Sequence, residues 1–174
     1  MPSLTIHIAI AEEYYKKNKF EIKNYDDLIN GSIAPDINKN IDKNISHYGI
    51  WDRTSSYVDF KKFFNDEKVN ISSDYWKGYF LHLIADHYFY NYSFKEEYLN
   101  SINSNEDLHS DYYFLNNDLI NDYNLKIIDN IKEFMIAKEG KCKYLNYSKI
   151  KEFIQDITNR KIEEYICDIN EHKL

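Results

Sequence analysis

Apolar side chains return at helical rather than alternating intervals along most of this chain. Ile8, Ala11 and Tyr15 recur three and four residues apart, which predicts a first helix over residues 4–17 with Ser3 as its cap. Residues 25–30 read as a short helix opened by Asp26 and Asp27, with Gly31 in the position that commonly follows a helix end. Pro35 pushes Ala34 towards an extended conformation, so residues 31–36 are not expected to be helical throughout. Residues 38–54 are polar and irregular, a long loop carrying His47 and Gly49, and long loops within compact domains are commonly functional. A short helix is predicted over 58–65. The clearest helix spans 74–92, capped by Ser72 or Ser73. Trp76, Tyr79, Phe80, Leu81, Leu83, Ile84 and Phe89 make it apolar around most of its circumference, which places it centrally. Further helices are predicted over 94–101, 111–122, 125–137 and 147–170, with Glu139-Gly140 separating the last two.

Composition agrees with this pattern. Four glycines and two prolines among 174 residues supply little turn chemistry for many short strands, so the expected fold is all-α, one compact multi-helix domain over residues 1–174. There is no internal repeat and no Gly-, Pro- or Ser-rich linker. The 17 tyrosines accompany an abundance of Asn, Ile and Lys, a compositional bias that gives them no collective role. Cys142 and Cys167 allow one disulfide at most and are expected to be free thiols.

Charge narrows the partners. The formal net charge is −7, and Arg53 and Arg160 are the only arginines, so a nucleic-acid polymer is not an expected partner and an anionic membrane surface would repel the molecule. The first residues lack the basic start and apolar stretch of a signal peptide, and no run approaches the roughly 18 apolar residues of a membrane span. The expected location is the cytoplasm. The pattern leaves the oligomeric state open.

Candidate chemistry begins with His82 and Asp86. Four residues apart on a helix, they differ by about 40° and share a face, so an imidazole and a carboxylate could hold one metal ion from consecutive turns; a buried His–Asp hydrogen bond is the plainer alternative. Gly78, one turn earlier, leaves room on that face. His87 sits about 100° from Asp86 and about 140° from His82, which suits a supporting or core role better than a ligand role. His7 lies one turn into the first helix between Ile6 and Ile8, where a satisfied core histidine is the usual finding. Asp36 follows Pro35 and reads by itself as a turn aspartate. His47 stands in Ser46-His47-Tyr48-Gly49 and reads by itself as an exposed loop residue.

Taken in order, these pieces carry a resemblance. Thr5-Ile6-His7-Ile8-Ala9, Gly31-Ser32-Ile33-Ala34-Pro35-Asp36, Ser46-His47-Tyr48-Gly49 and Gly78-Tyr79-Phe80-Leu81-His82-Leu83-Ile84-Ala85-Asp86 resemble the zinc-dependent phospholipase C family. That family shares its helical fold with three-zinc, single-strand-specific nucleases. The likeness covers roughly the first ninety residues, and its order is more specific than any one piece. It implies that Asp36, His47 and His82 hold one zinc, that Asp86 bridges to a second also bound by His7, and that Asp36 is the general base. One or two ions are implied, with manganese or iron as alternatives. Two cations about 3.5–4 Å apart lower the pKa of a bridging water and hold phosphoryl oxygens during in-line attack.

The chain also departs from that family. The secreted phospholipases expose an N-terminal tryptophan whose amine is a zinc ligand, and this chain has none. Their remaining zinc uses two histidines and a glutamate downstream of the helical pair; here His109 and His172 follow, and neither aligns. His109 with Asp111 is the available substitute, with a surface loop as the alternative. An added C-terminal lipid-binding domain is not expected. Three functions are therefore expected in turn: a metal-dependent hydrolase of a small soluble phosphoester, a non-catalytic metal- or ligand-binding helical protein, and a helical phosphohydrolase of the His-Asp type. The last accounts less well for residues 31–36.

Overall fold

The structure is a computed structural model that describes residues 2–38, 40–51, 56–100 and 105–174. Helix α1 (Leu4–Lys17) starts where the sequence places it: the Ser3 hydroxyl accepts the Ile6 amide at 3.3 Å, satisfying one of the free donors at a helix start. Helix α2 (Tyr25–Ile37) opens under the Asn24 side chain, which accepts the Asp27 amide at 3.2 Å, but it runs through Gly31 and Pro35 instead of ending at residue 30. The reason is tertiary. A Cβ on Gly31 would lie 1.9 Å from the Tyr75 carbonyl oxygen, and one on Gly78 would lie 2.0 Å from the Leu28 carbonyl oxygen. Gly31 is thus a crossing point with helix α5 (Asp74–Tyr88), where two backbones touch, rather than a terminator. The α2–α5 contact is the most extensive between elements among the described residues. Burial of Leu28, Ile29, Ile33 and Pro35 along it offsets the helix-breaking cost of a proline placed two residues before the end.

The stretch expected to be one irregular loop is partly ordered. Helix α3 (Lys43–Ser46), capped by Asp42, leads into strand β1 (Gly49–Trp51), which pairs antiparallel with β2 (Ser56–Val58) in the register Gly49 to Val58. Residues 39 and 52–54 of that expected loop lie outside the described residues. The bend between α3 and β1 falls on Tyr48, with φ of 51°, although Gly49 is the residue that composition would choose. Tyr48 is held there by its hydroxyl bond to Asp66 at 2.8 Å and by packing on Phe63. Helix α4 (Phe60–Asn65) begins two residues later than expected because Asp59 caps it, accepting the Lys62 amide at 2.9 Å. The expected helix 74–92 is α5 followed by a single π turn over Phe89–Ser93, and α6 (Lys95–Asn100) comes next.

In the C-terminal half, α7 (Asn105–Tyr123) is longer than expected and contains His109, so the surface-loop alternative for that residue is wrong. Residues 125–137 hold only a 3₁₀ turn at Asp129–Ile131 and the short α8 (Lys132–Met135), not one long helix. There the Asn116 side chain donates to the carbonyls of Phe134 and Ile136 at 2.8 and 3.0 Å, and the Lys138 amide reaches Tyr113 at 3.0 Å. Pairing with α7 replaces the helix's own hydrogen bonds. The expected helix 147–170 is split into α9 (Tyr147–Thr158) and α10 (Ile162–Asn170). The fold-back puts Tyr165 under α9, its hydroxyl donating to the Ile157 carbonyl at 3.1 Å, and buries Ile162 and Ile169.

The architecture is all-α apart from the two short strands. Thr5 to Ala11 of α1 and Gly78 to Asp86 of α5 are buried without interruption, so both helices have no solvent face at that level. No helix among the described residues is long and apolar enough to cross a membrane.

Candidate metal centre

These two sheathed helices carry His7, His82 and Asp86 inward, while the last turn of α2 brings Asp36 and the residue after α3 brings His47. The five side chains that the sequence singles out meet in one place. His82 Nε2 lies 3.1 Å from Asp86 Oδ2 and 3.2 Å from His47 Nε2. His47 Nε2 lies 3.4 Å from Asp36 Oδ1 and 3.6 Å from Asp86 Oδ2. On the other side, Asp86 Oδ1 faces His7 Nε2 at 3.5 Å, and the His7 ring stacks on that of His82 with centroids 3.7 Å apart.

The tautomer of His82 follows from what its other nitrogen touches. Its Nδ1 is 2.7 Å from the Ser32 carbonyl, which has no proton to give, so Nδ1 carries one and donates it, and Nε2 turns a lone pair towards the cluster. His47 Nδ1 lies 3.0 Å from the Lys43 carbonyl and 2.9 Å from the Ser46 hydroxyl, which can donate to it or accept from it. A carbonyl behind an imidazole is the usual support of a histidine that ligates a metal.

Asp36 Oδ1, both oxygens of Asp86 and both nitrogens of His7 are buried and make no hydrogen bond of normal geometry. Buried polar atoms are rarely left so, because each costs about 1–3 kcal/mol. Several nitrogen and oxygen atoms are close but aim at a common space rather than along one another's N–H directions. Two sets of three donors could each surround a cation, Asp36 with His47 and His82, and His7 with His82 and Asp86, the ligand atoms of each set lying within 4.8 Å of one another. His47 Nε2, His82 Nε2 and Asp86 Oδ2 are 3.1 to 3.6 Å apart, close to the edge of about 3.3–3.4 Å of a tetrahedral zinc site with bonds of about 2.0–2.1 Å. His82 belongs to both sets and can serve one cation only, because its Nδ1 is committed to Ser32.

Charge in the cluster is tightly coupled. Burial pushes the Asp86 and Asp36 carboxyls upward, but the neighbouring histidines outweigh it and both sit below the usual carboxylate range. Burial likewise works against a charged His82, yet Asp86 and Asp36 raise its pKa overall. His7 is lowered to about 4 by burial and by the adjacent His82. Without a cation, a positive charge is therefore favoured on His82 over His7.

Other residues raised by the sequence fall elsewhere. His87 packs edge-on against Phe60 and Tyr92 at 5.7 Å, accepts from the Asn91 amide at 3.2 Å, and does not join the cluster. Asp111 cannot partner His109 in a further metal site, because its carboxylate accepts the backbone amides of Lys143, Tyr144 and Leu145 at 2.8, 2.7 and 2.9 Å. Cys142 and Cys167 are free thiols. Sequence reasoning missed Ser32 and Lys43, whose contributions are backbone carbonyls and so leave no mark in residue type. No family model, no curated protein and no solved structure matches this chain.

Proposed function

We propose that the cluster binds a divalent cation, zinc by its donor set, and that the protein is a metal-dependent hydrolase of a small phosphoester. The observation that supports this most is the convergence of buried carboxylate and imidazole atoms that lack any hydrogen-bond partner. The ordered likeness of residues 5–86 to the zinc-dependent phospholipase C family supports the same reading, and with it a fold of the phospholipase C and three-zinc nuclease type. Asp36, His47 and His82 would hold the first ion, with Asp86 beside it; His7 and Asp86 would hold a second more weakly. When bound, such cations supply Lewis-acid activation of water and neutralise charge on phosphoryl oxygens. Asp36 is the entry side of the cluster, its side chain 9% exposed against 0% for His7, His47, His82 and Asp86. Held ionised well below neutral pH, it can accept a proton from an acidified water.

Elemental analysis of the purified protein together with a chromogenic phosphomonoester and phosphodiester assay tests this reading. The expected result is about one tightly bound zinc per chain, hydrolysis abolished by chelator and restored by zinc, and loss of turnover in Asp36→Asn. Protein that binds no divalent cation, or turnover indifferent to chelator, sinks it.

One observation favours a second reading. The side chains of His7, His47, His82 and Asp86 are 0% exposed, and a cluster closed to solvent is the form of structural rather than catalytic zinc. X-ray absorption on the zinc-loaded protein separates the two: four protein ligands and no hydrolysis make the ion structural, whereas a solvent ligand in the shell favours catalysis.

A further inference from the structure

His47 is carried differently from the other four side chains of the cluster. His7, His82 and Asp86 sit in buried stretches of α1 and α5, and Asp36 rides on the last turn of α2. His47 follows α3, a helix of four residues, and so short a helix is not stable by itself in water. The next residue, Tyr48, has a φ of 51°, a conformation that residues other than glycine rarely adopt. Contacts from outside the segment must therefore fix where the His47 imidazole lies.

Those contacts come from α5 and from residues 59–66. The Tyr79 hydroxyl donates to the Ser46 carbonyl, in the peptide that joins Ser46 to His47. Tyr79 is buried, its ring stacked on Phe63 with centroids 6.0 Å apart and edge-on to Tyr48 at 6.1 Å. After the histidine, the Tyr48 hydroxyl donates to Asp66 at 2.8 Å and the Tyr48 carbonyl accepts the Asp59 amide at 2.8 Å. Tyr79 also stands three residues before His82 on the same helix. One helix thus carries two members of the cluster and the hydroxyl that holds the chain bearing a third.

We propose that Tyr79 is the positioning residue of His47: its hydroxyl bond to the Ser46 carbonyl sets the imidazole in the cluster before a cation arrives. The inference rests on the cation reading above and deepens it. A donor already in place loses less freedom when the ion binds, so affinity is gained without a further ligand. Removal of the hydroxyl leaves the ion to order residues 46–48 itself, and affinity falls as it does when a group supporting a metal ligand is lost.

The test uses the whole chain, with zinc affinity measured by competition against a chromophoric chelator. Tyr79→Phe and Tyr165→Phe are run beside wild type. Tyr165 is the matched control, a buried tyrosine whose hydroxyl donates to the Ile157 carbonyl of α9 at 3.1 Å. Tyr79→Phe is expected to lose about tenfold or more in zinc affinity, whereas Tyr165→Phe melts earlier and keeps the wild-type affinity. Wild-type affinity in Tyr79→Phe overturns the proposal. So does an equal loss in both variants, which would tie zinc binding to overall stability. If Tyr79→Phe does not fold, hydrogen exchange of cation-free wild type decides. The His47 amide, bonded to the Lys43 carbonyl at 2.8 Å, is expected to exchange slowly before any zinc is added. Exchange at the rate of an open chain until zinc is added overturns the proposal. Wild type that binds no zinc overturns the cation reading itself, and the exchange of the cation-free protein registers separately whether His47 is preset.

Discussion

Asp86 and Asp111 are both buried carboxylates on long helices, and the molecule treats them in opposite ways. Asp111 in α7 accepts three backbone amides from residues 143–145 and pins the irregular segment that precedes α9. Asp86 in α5 is as deeply buried, yet neither of its oxygens has a hydrogen-bond partner, and histidine nitrogens stand around it at 3.1 to 3.6 Å. Burial of charge therefore does not by itself mark a functional centre. What separates a tether from a candidate ligand is whether the fold has supplied the carboxylate with donors. The C-terminal half uses its buried acid to hold chain together; the N-terminal half keeps its acid unsatisfied at the meeting of α1, α2, α3 and α5.

Matched substitutions are the sharpest way to break that contrast. Asp86→Asn is expected to cost at least about a hundredfold in zinc affinity, since loss of a ligand should exceed the usual effect of losing a supporting group. Cation-free stability should move by no more than about 1 kcal/mol, because His82 can shed its proton when its partner is gone. Asp111→Asn is expected to destabilise the fold by about 3–5 kcal/mol while zinc affinity of the folded protein stays unchanged. Denaturant melts and zinc titrations of the two variants check both halves; equal losses of zinc binding would erase the distinction.

A smaller effect is expected at the helix crossing. Gly78→Ala forces α2 and α5 apart and should cost about 1–3 kcal/mol. Zinc affinity should fall as well, because the Ser32 carbonyl behind His82 and the carboxylate of Asp36 both ride on α2. A melt that shifts with no change in zinc binding would show that the crossing only supports the fold.

The mildest test is pH. In the cation-free protein Asp86 and Asp36 raise the pKa of His82, and the added proton must leave when the imidazole becomes a ligand. Zinc affinity should therefore rise by about tenfold per pH unit below that pKa and level off above it. Calorimetric titrations in buffers of different ionisation enthalpy count the released proton directly. An affinity that does not change with pH would mean His82 is already neutral without a cation.

Much of the N-terminal half was legible in the residues. The Ser3 cap, the inward stripe of α1, and the His82–Asp86 spacing on a helix apolar all round each rest on local periodicity, and the structure carries them unchanged. The order of His7, Asp36, His47, His82 and Asp86 named the side chains that the fold brings together. Gly31 and Pro35 misled, because both ordinarily end helices and here the α5 backbone packed against Gly31 keeps α2 going. The break between α9 and α10 was equally hidden: residues 159–161 contain neither glycine nor proline, and the helical pattern is good on both sides.

The sequence by itself determined that the chain is helical, that α5 runs through the interior and which acids and imidazoles are available for chemistry, since helical periodicity and residue type are local properties. Only the tertiary structure decided that α2 passes unbroken across α5, that the Ser32 carbonyl sets the tautomer of His82 while the Lys43 carbonyl stands behind His47, and that Asp111 is satisfied while Asp86 is not. These depend on backbone groups and on atoms brought together from as many as 50 positions apart, as with Ser32 and His82. Residue type carries no record of where a distant carbonyl will point.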